Sequence, residues 1–174
     1  MKEHFGSFEN PKPGYEKFGG YFNIDSGTGR VRGAGVFGRQ RAPTSCARFS
    51  TRSRMTAWCG AVASRSRNLG GSDNTSFSQA GLPGIGMGQD PIEYNSHTWH
   101  TNFDTYERIL EDDVKKDAVT VAWSIYQLAM RDELLPRFAK ADMPPLPPPN
   151  PNAEPSPTPK PAVTPKPRNP KRRG

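Results

Sequence analysis

This 174-residue chain has only two cysteines, Cys46 and Cys59. They allow at most one disulfide and form no Cys-x-x-Cys knuckle, which excludes a disulfide-framed scaffold and a cysteine-built zinc ribbon. Histidine is equally scarce, with His4, His97 and His100 alone. No apolar run approaches the roughly 18 residues of a membrane-spanning helix. The first residues, Met1-Lys2-Glu3-His4-Phe5, have no apolar signal core, so no membrane partner and no export address are expected. The chain also lacks an even spread of charge. Its net +7 is concentrated in two blocks. Residues 144–174 carry six basic side chains against Glu154, and residues 39–67 carry seven arginines and no acid. The remainder is net negative, so the basic total does not mark a nucleic-acid surface, and no nucleic-acid partner is expected.

Thirteen of the 19 prolines lie in residues 144–174, where almost nothing past Leu146 is apolar. Such a segment cannot offset its ordering entropy, and it reads as a disordered Pro/Lys/Arg-rich polyproline II tail. It serves either as a solvated linker or as a ligand for an SH3-type groove or an anionic surface. The foldable part is then residues 1–143, enough for a modest core.

Within it, short β-prone runs occupy 21–25, 31–37, 58–63 and 84–88, with Ser26-Gly27-Thr28-Gly29 turning between the first two. A short helix is expected from Asp73 to Ala80, capped by Ser72 or Asp73 and stopped by Gly81. A long helix is expected from Glu111 to Glu133. Its Val114, Ala118, Val121, Ile125 and Leu128 fall at 3–4 spacing, and acids fill its first turn. This stripe is expected to face the core, together with Trp123 and Tyr126. Residues 38–57 show neither a helical nor a strand period.

Asp25 follows a strand and admits three readings: a turn cap, a metal ligand, or the Asp-Ser-Gly-Thr turn of a dimeric aspartic protease that would need a second copy of its carboxylate. His100 lies on a polar loop with Asp104 four residues on. A neutral imidazole is a good zinc ligand, and a nearby carboxylate can fix its tautomer. His97 and His100 also form an i,i+3 pair that offers a local chelate. Gly70-Gly71-Ser72-Asp73-Asn74 has the look of a phosphate-cradling turn without the lysine.

Taken in order, Phe22-Asn23-Ile24-Asp25, Asn68-Leu69-Gly70-Gly71-Ser72-Asp73, Ala80-Gly81-Leu82-Pro83-Gly84, Gln89-Asp90-Pro91 and His100-Thr101-Asn102-Phe103-Asp104-Thr105 form a set. The set resembles the carboxyl-terminal half of the co-catalytic di-zinc aminopeptidases, metallopeptidase family twenty-eight, which includes leucyl aminopeptidases, glutamate carboxypeptidases and the transferrin-receptor ectodomain. The resemblance covers residues 15–37 and 60–137. It implies an α/β fold, a partial mixed sheet flanked by helices. It further implies two zinc ions and hydrolysis of a peptide substrate by a metal-activated water. Asp25 and His100 would each be a ligand of one zinc, Asp104 would support His100, and Asp73 and Trp99 would stand near the substrate pocket. Relatives carry the general-base glutamate and the remaining ligands upstream of this region, so no catalytic base is assigned in this chain. Asn74 stands where relatives often have histidine, and Trp99 where they often have histidine or tyrosine. Relatives also place an amphipathic helix where residues 39–57 lie; here the stretch reads either as translated out of frame between two compensating indels or as a divergent insertion. Relatives are often secreted or periplasmic. The alternative from another class is a noncatalytic protein-binding domain on the same scaffold, as in the transferrin-receptor branch.

Overall fold

A computed structural model describes residues 1–39, 60–69 and 71–148. The aberrant stretch 40–57 and the tail beyond Pro148 lie outside the described residues, so the expectations placed on them stand as stated above. The described chain is α/β. Four strands, β1 (Tyr21–Asn23), β2 (Val31–Phe37), β3 (Ala61–Ser64) and β4 (Gly84–Gln89), form one sheet in the order β1-β4-β2-β3. β1 runs parallel to β4, β4 antiparallel to β2, and β2 parallel to β3. Among the described residues three α-helices accompany it: α1 (Lys2–Phe5), α2 (Asp73–Gln79) and α3 (Glu111–Ala129).

The register sorts the side chains into two faces. Asn23, Gly86, Gly35 and Val62 stand in one row across the sheet, and Phe22, Ile85, Val36 and Ala63 alternate with them on the other face. The second face is the apolar one. Val36, Ile85 and Met87 are buried there, and Ile85 meets Leu128 of α3 and Leu135 around Gly20. The glycine-bearing face receives α2. Gly84 lies against the Asn74 carbonyl so closely that helix backbone occupies the space a side chain would need, and the Asn74 side-chain amide covers Gly86. A smaller core joins Tyr15, Ala80 and Leu82, edged by Phe5, Phe8, Phe18 and Phe77. Phe5, Phe18, Phe77 and Tyr21 form a chain of ring contacts with centroids 4.2–5.1 Å apart.

The strands agree with the sequence reading to within a few residues, and α2 begins where expected. Gly81, at φ 81°, stops it by turning left-handed. Two expectations for α3 are corrected. The helix ends at Ala129 rather than Glu133, closing with a tightened turn in which the Met130 and Arg131 amides bond Tyr126 and Leu128 carbonyls. Its orientation also differs. The face toward the sheet buries Asp117 and Ser124, while Val114, Ile125, Trp123 and Tyr126 are 41–53% exposed. Polar anchors decide the rotation: Asp113 pairs with Arg30 at 2.9 Å, and Asp117 accepts the Val31 amide at 2.7 Å. That amide begins a buried strand, and leaving it unpaired would cost more than exposing a valine.

Burial pushes the Asp117 carboxyl above its ordinary value, although the Val31 amide pulls the other way. The folded state therefore holds this proton more tightly than the unfolded chain. The corresponding stability is complete below the unfolded value of about 3.9 and is lost as pH rises through the raised folded value. Asp117→Asn keeps an acceptor and removes the titration. It is expected to gain on the parent in urea midpoint as pH rises from about 3.5 to 7. A difference constant over that range would contradict this.

Candidate functional site

Asp25 lies two residues beyond β1, at the carboxyl end of a strand parallel to its neighbour, where α/β sheets present ligands. Its turn is held from three sides. Gln89, the last residue of β4, accepts the Ser26 amide at 3.0 Å and donates to the Gly27 and Gly29 carbonyls at 2.9 and 2.8 Å. Thr28 donates to the Arg108 carbonyl at 2.9 Å. The Tyr94 ring packs over Gly27, whose φ of 90° and missing side chain permit the approach. The Tyr94 hydroxyl donates to the Asp25 carbonyl at 3.3 Å.

The Asp25 carboxylate accepts the Ser72 hydroxyl. Ser72 is the N-cap residue of α2, but its side chain reaches across to Asp25 instead of closing the helix. Asp73, next in the chain, accepts the Tyr21 hydroxyl at 3.4 Å. Burial raises the Tyr21 phenol above its usual value, and the nearby Asp73 and Asp25 carboxylates add to the rise. Tyr94 behaves in the same way, through burial and then through Asp25 and Asp104. Asp73 and Asp25 thus both stand near Tyr21, and Asp25 and Asp104 near Tyr94.

His100 is carried by the loop after β4. A five-residue π-helical turn, Tyr94–Thr98, leads into it, starting from Glu93 at φ 56°. π-turns are rare and cluster at functional sites. His100 is itself left-handed, at φ 56°. Its ring lies 4.8 Å from that of Trp99, which in turn stands 6.5 Å from Tyr94. Contacts thus run from Asp25 through Tyr94 and Trp99 to His100. Among the described residues no hydrogen bond joins Asp104 to His100, and His97 pairs with the Ser96 hydroxyl at 2.8 Å.

A groove of about 510 Å³ opens beside Asp25 on the glycine-bearing face. Its floor is backbone at Gly33, Gly35, Gly86 and Gly88, and Asp25, Ser72 and Asn74 stand along it. Asn74 is 1% exposed, and its amide donates to the Leu69 carbonyl at 3.1 Å, yet its side-chain oxygen has no partner. A buried acceptor left open beside a groove is an unmade hydrogen bond.

The sequence reading missed Ser72 as a partner of Asp25, it missed Tyr94, and it took Gln89 only as part of the Gln89-Asp90-Pro91 segment. Ser72 reads as a helix cap, and the other two act on residues sixty or more positions away.

Among the described residues no three of His, Cys, Asp and Glu gather around a point where a metal ion could sit. A catalytic zinc is ordinarily held by three protein side chains. The described residues alone therefore do not fit a closed zinc centre. No helix among them is long and apolar enough to cross a membrane.

Comparison with known proteins gives no significant match to a curated protein or to a solved structure. The model of Peptidase family M28 matches residues 3–124, which include Asp25, Ser72, Asp73, Gln89, Tyr94, His100 and Asp104. That span is well over half of the sequence and holds the four strands described above, and the chain belongs to Peptidase family M28.

Proposed function

We propose that the Asp25–Ser72–His100 end of the sheet is the metal-facing side of a zinc-dependent exopeptidase site, and that the adjacent groove receives the peptide. The family is one of metallopeptidases. The observation that carries the finer reading is the Ser72 hydroxyl on the Asp25 carboxylate. It fixes one carboxylate oxygen and leaves the other free for a cation, an outer contact of the kind that orients metal-binding side chains. When bound, zinc would lower the pKa of a water and polarise a carbonyl. Asp25 and His100 would contribute one donor each, on a turn and a loop that Tyr94 and Trp99 join. The groove beside Asp25, lined by Ser72 and Gln89, would receive the substrate backbone.

Two donors are too few to hold zinc firmly. The purified chain is therefore expected to take up no stoichiometric zinc at micromolar concentration and to leave aminoacyl-nitroanilides uncleaved. Asp25→Asn and His100→Ala should each abolish whatever weak uptake is seen by equilibrium dialysis. Turnover by this chain that a chelator stops would overturn the two-donor reading. The noncatalytic alternative draws its support from that same small donor set; a thermal midpoint unmoved even by millimolar zinc would favour it, whereas the metal-facing reading expects a rise at that concentration that Asp25→Asn and His100→Ala remove.

A further inference from the structure

The loop after β4 is fastened at its neck by one ion pair. The Glu93 carboxylate meets the Arg108 guanidinium, fifteen positions on. Arg108 closes a 3-10 turn, Tyr106–Arg108, and its carbonyl accepts the Thr28 hydroxyl at 2.9 Å. Thr28 belongs to the turn that carries Asp25, whose Gly27 and Gly29 carbonyls are held by Gln89. Contacts therefore close a ring from the end of β4 through Glu93, Arg108 and Thr28 back to Gln89. Between Glu93 and Arg108 the loop is bonded within itself. The single Glu93 carbonyl accepts the Ser96, His97 and Thr98 amides at 3.3, 2.8 and 3.3 Å. The Trp99 amide reaches the Tyr94 carbonyl at 2.9 Å, and the Thr101 amide reaches the Thr98 carbonyl at 3.2 Å. A compact loop with its ends joined in this way moves as one piece.

Glu93 is left-handed, at φ 56° and ψ 7°. Such a position ordinarily takes glycine or asparagine. Its side chain is 52% exposed and that of Arg108 40%. A pair this open to water returns less than a left-handed side chain costs, so stability alone does not call for glutamate here. We propose that Glu93 is a positioning residue: through Arg108 it clasps the neck of the 93–108 loop and sets where His100 stands relative to Asp25. Tyr94, packed over Gly27, joins the same loop to the same turn at another place. Two points of attachment fix an orientation that one leaves free to pivot. That the two side chains so aligned serve a cation rests on the metal-facing reading; the clasp itself does not.

Amide exchange on the metal-free full chain, read residue by residue by NMR, tests the clasp. Glu93→Ala should speed exchange at Trp99 and Thr101 about three- to fivefold, the range an exposed pair supplies, and leave Val36 and Ile85 in the sheet unchanged. Glu93→Gly relieves the backbone and should unfold at a higher temperature than Glu93→Ala, yet exchange as fast at Trp99. The swapped pair E93R/R108E should return Trp99 to within about twofold of the parent, and neither single variant should. Exchange at Trp99 unmoved by Glu93→Ala, parent-like exchange in Glu93→Gly, or a swapped pair no better than its singles would each overturn the proposal. Zinc chloride at millimolar concentration provides a separate arm. The His100 imidazole and Ser26 amide resonances of the parent should shift, and Glu93→Ala should raise the concentration that half-shifts His100 about threefold. A zinc response at His100 that Glu93→Ala leaves unchanged would refute the positioning role. Parent resonances that zinc does not move, beside the expected exchange pattern, would sink the metal-facing reading and uphold the clasp.

Discussion

Arg67→Ala is expected to lower the stability of this domain by about 3–4 kcal/mol, a large share of what a domain of this size has to lose. The Arg67 side chain is 3% exposed. Its guanidinium donates to the Glu9 carboxylate at 3.3 Å, to the Pro144 carbonyl at 3.3 Å and to the Gln79 carbonyl at the end of α2. One side chain therefore ties together the N-terminal segment, the helix beside the candidate site and the start of the proline-rich stretch. Its removal strands the buried Pro144 carbonyl, leaves the Gln79 carbonyl without its donor and opens a cavity at once. Thermal unfolding should shift by more than about 10 °C, given roughly 4–8 °C per kcal/mol for a small domain. Arg67→Lys keeps the charge but not the planar fork that serves three acceptors, so it should recover only part of the loss. A midpoint within a few degrees of the parent for the alanine variant would show that these contacts are not what holds the three segments together.

Gly84→Val is expected to cost about 3 kcal/mol and to pull Ser72 away from Asp25. A β-carbon at position 84 would fall against the Asn74 carbonyl, with the Ser78 hydroxyl 2.5 Å away. The obstacle is helix backbone, which has no alternative rotamer to adopt. α2 would have to lift from β4, carrying Ser72 at its start, so damage at the core side of the helix would reach the Asp25 carboxylate. The expected result is a lower urea midpoint together with faster amide exchange at both Ser26 and Thr75. A variant that keeps the parent midpoint would mean that α2 and β4 are not in the close contact described.

Much of the fold was legible because turn chemistry is local. Gly27, Gly29 and Gly81 mark turns of the chain, Asp25 follows the end of the first strand and Ser72 precedes the short helix. The rotation of α3 was not legible. Its apolar residues surround most of the helix, and the choice among faces was made by Asp113 and Asp117 bonding to Arg30 and to the start of β2, more than eighty residues earlier. An aspartate on a helix reads as solvent-facing until its partner is known. The role of Arg67 was not legible for a related reason. It sits at the end of an arginine-rich stretch, and three distant acceptors give it a buried place. At the candidate site, Asp25, Asp73, His100 and Asp104 stood out as residue types suited to metal chemistry. Gln89 and Tyr94, which shape the turn, carry no such signal in the sequence.

The hold of Gln89 on the turn after β1 bears on how this molecule fluctuates. A surface turn of Ser, Gly and Thr would ordinarily open on its own, far below the free energy of global unfolding. Here three of its main-chain groups are bonded by one amide side chain rooted in the central strand. The turn cannot open without breaking those bonds or fraying the end of β4, so its breathing is tied to that of the sheet. Asp25 is thereby kept in place before any ligand arrives, and little ordering entropy remains to be lost when one does.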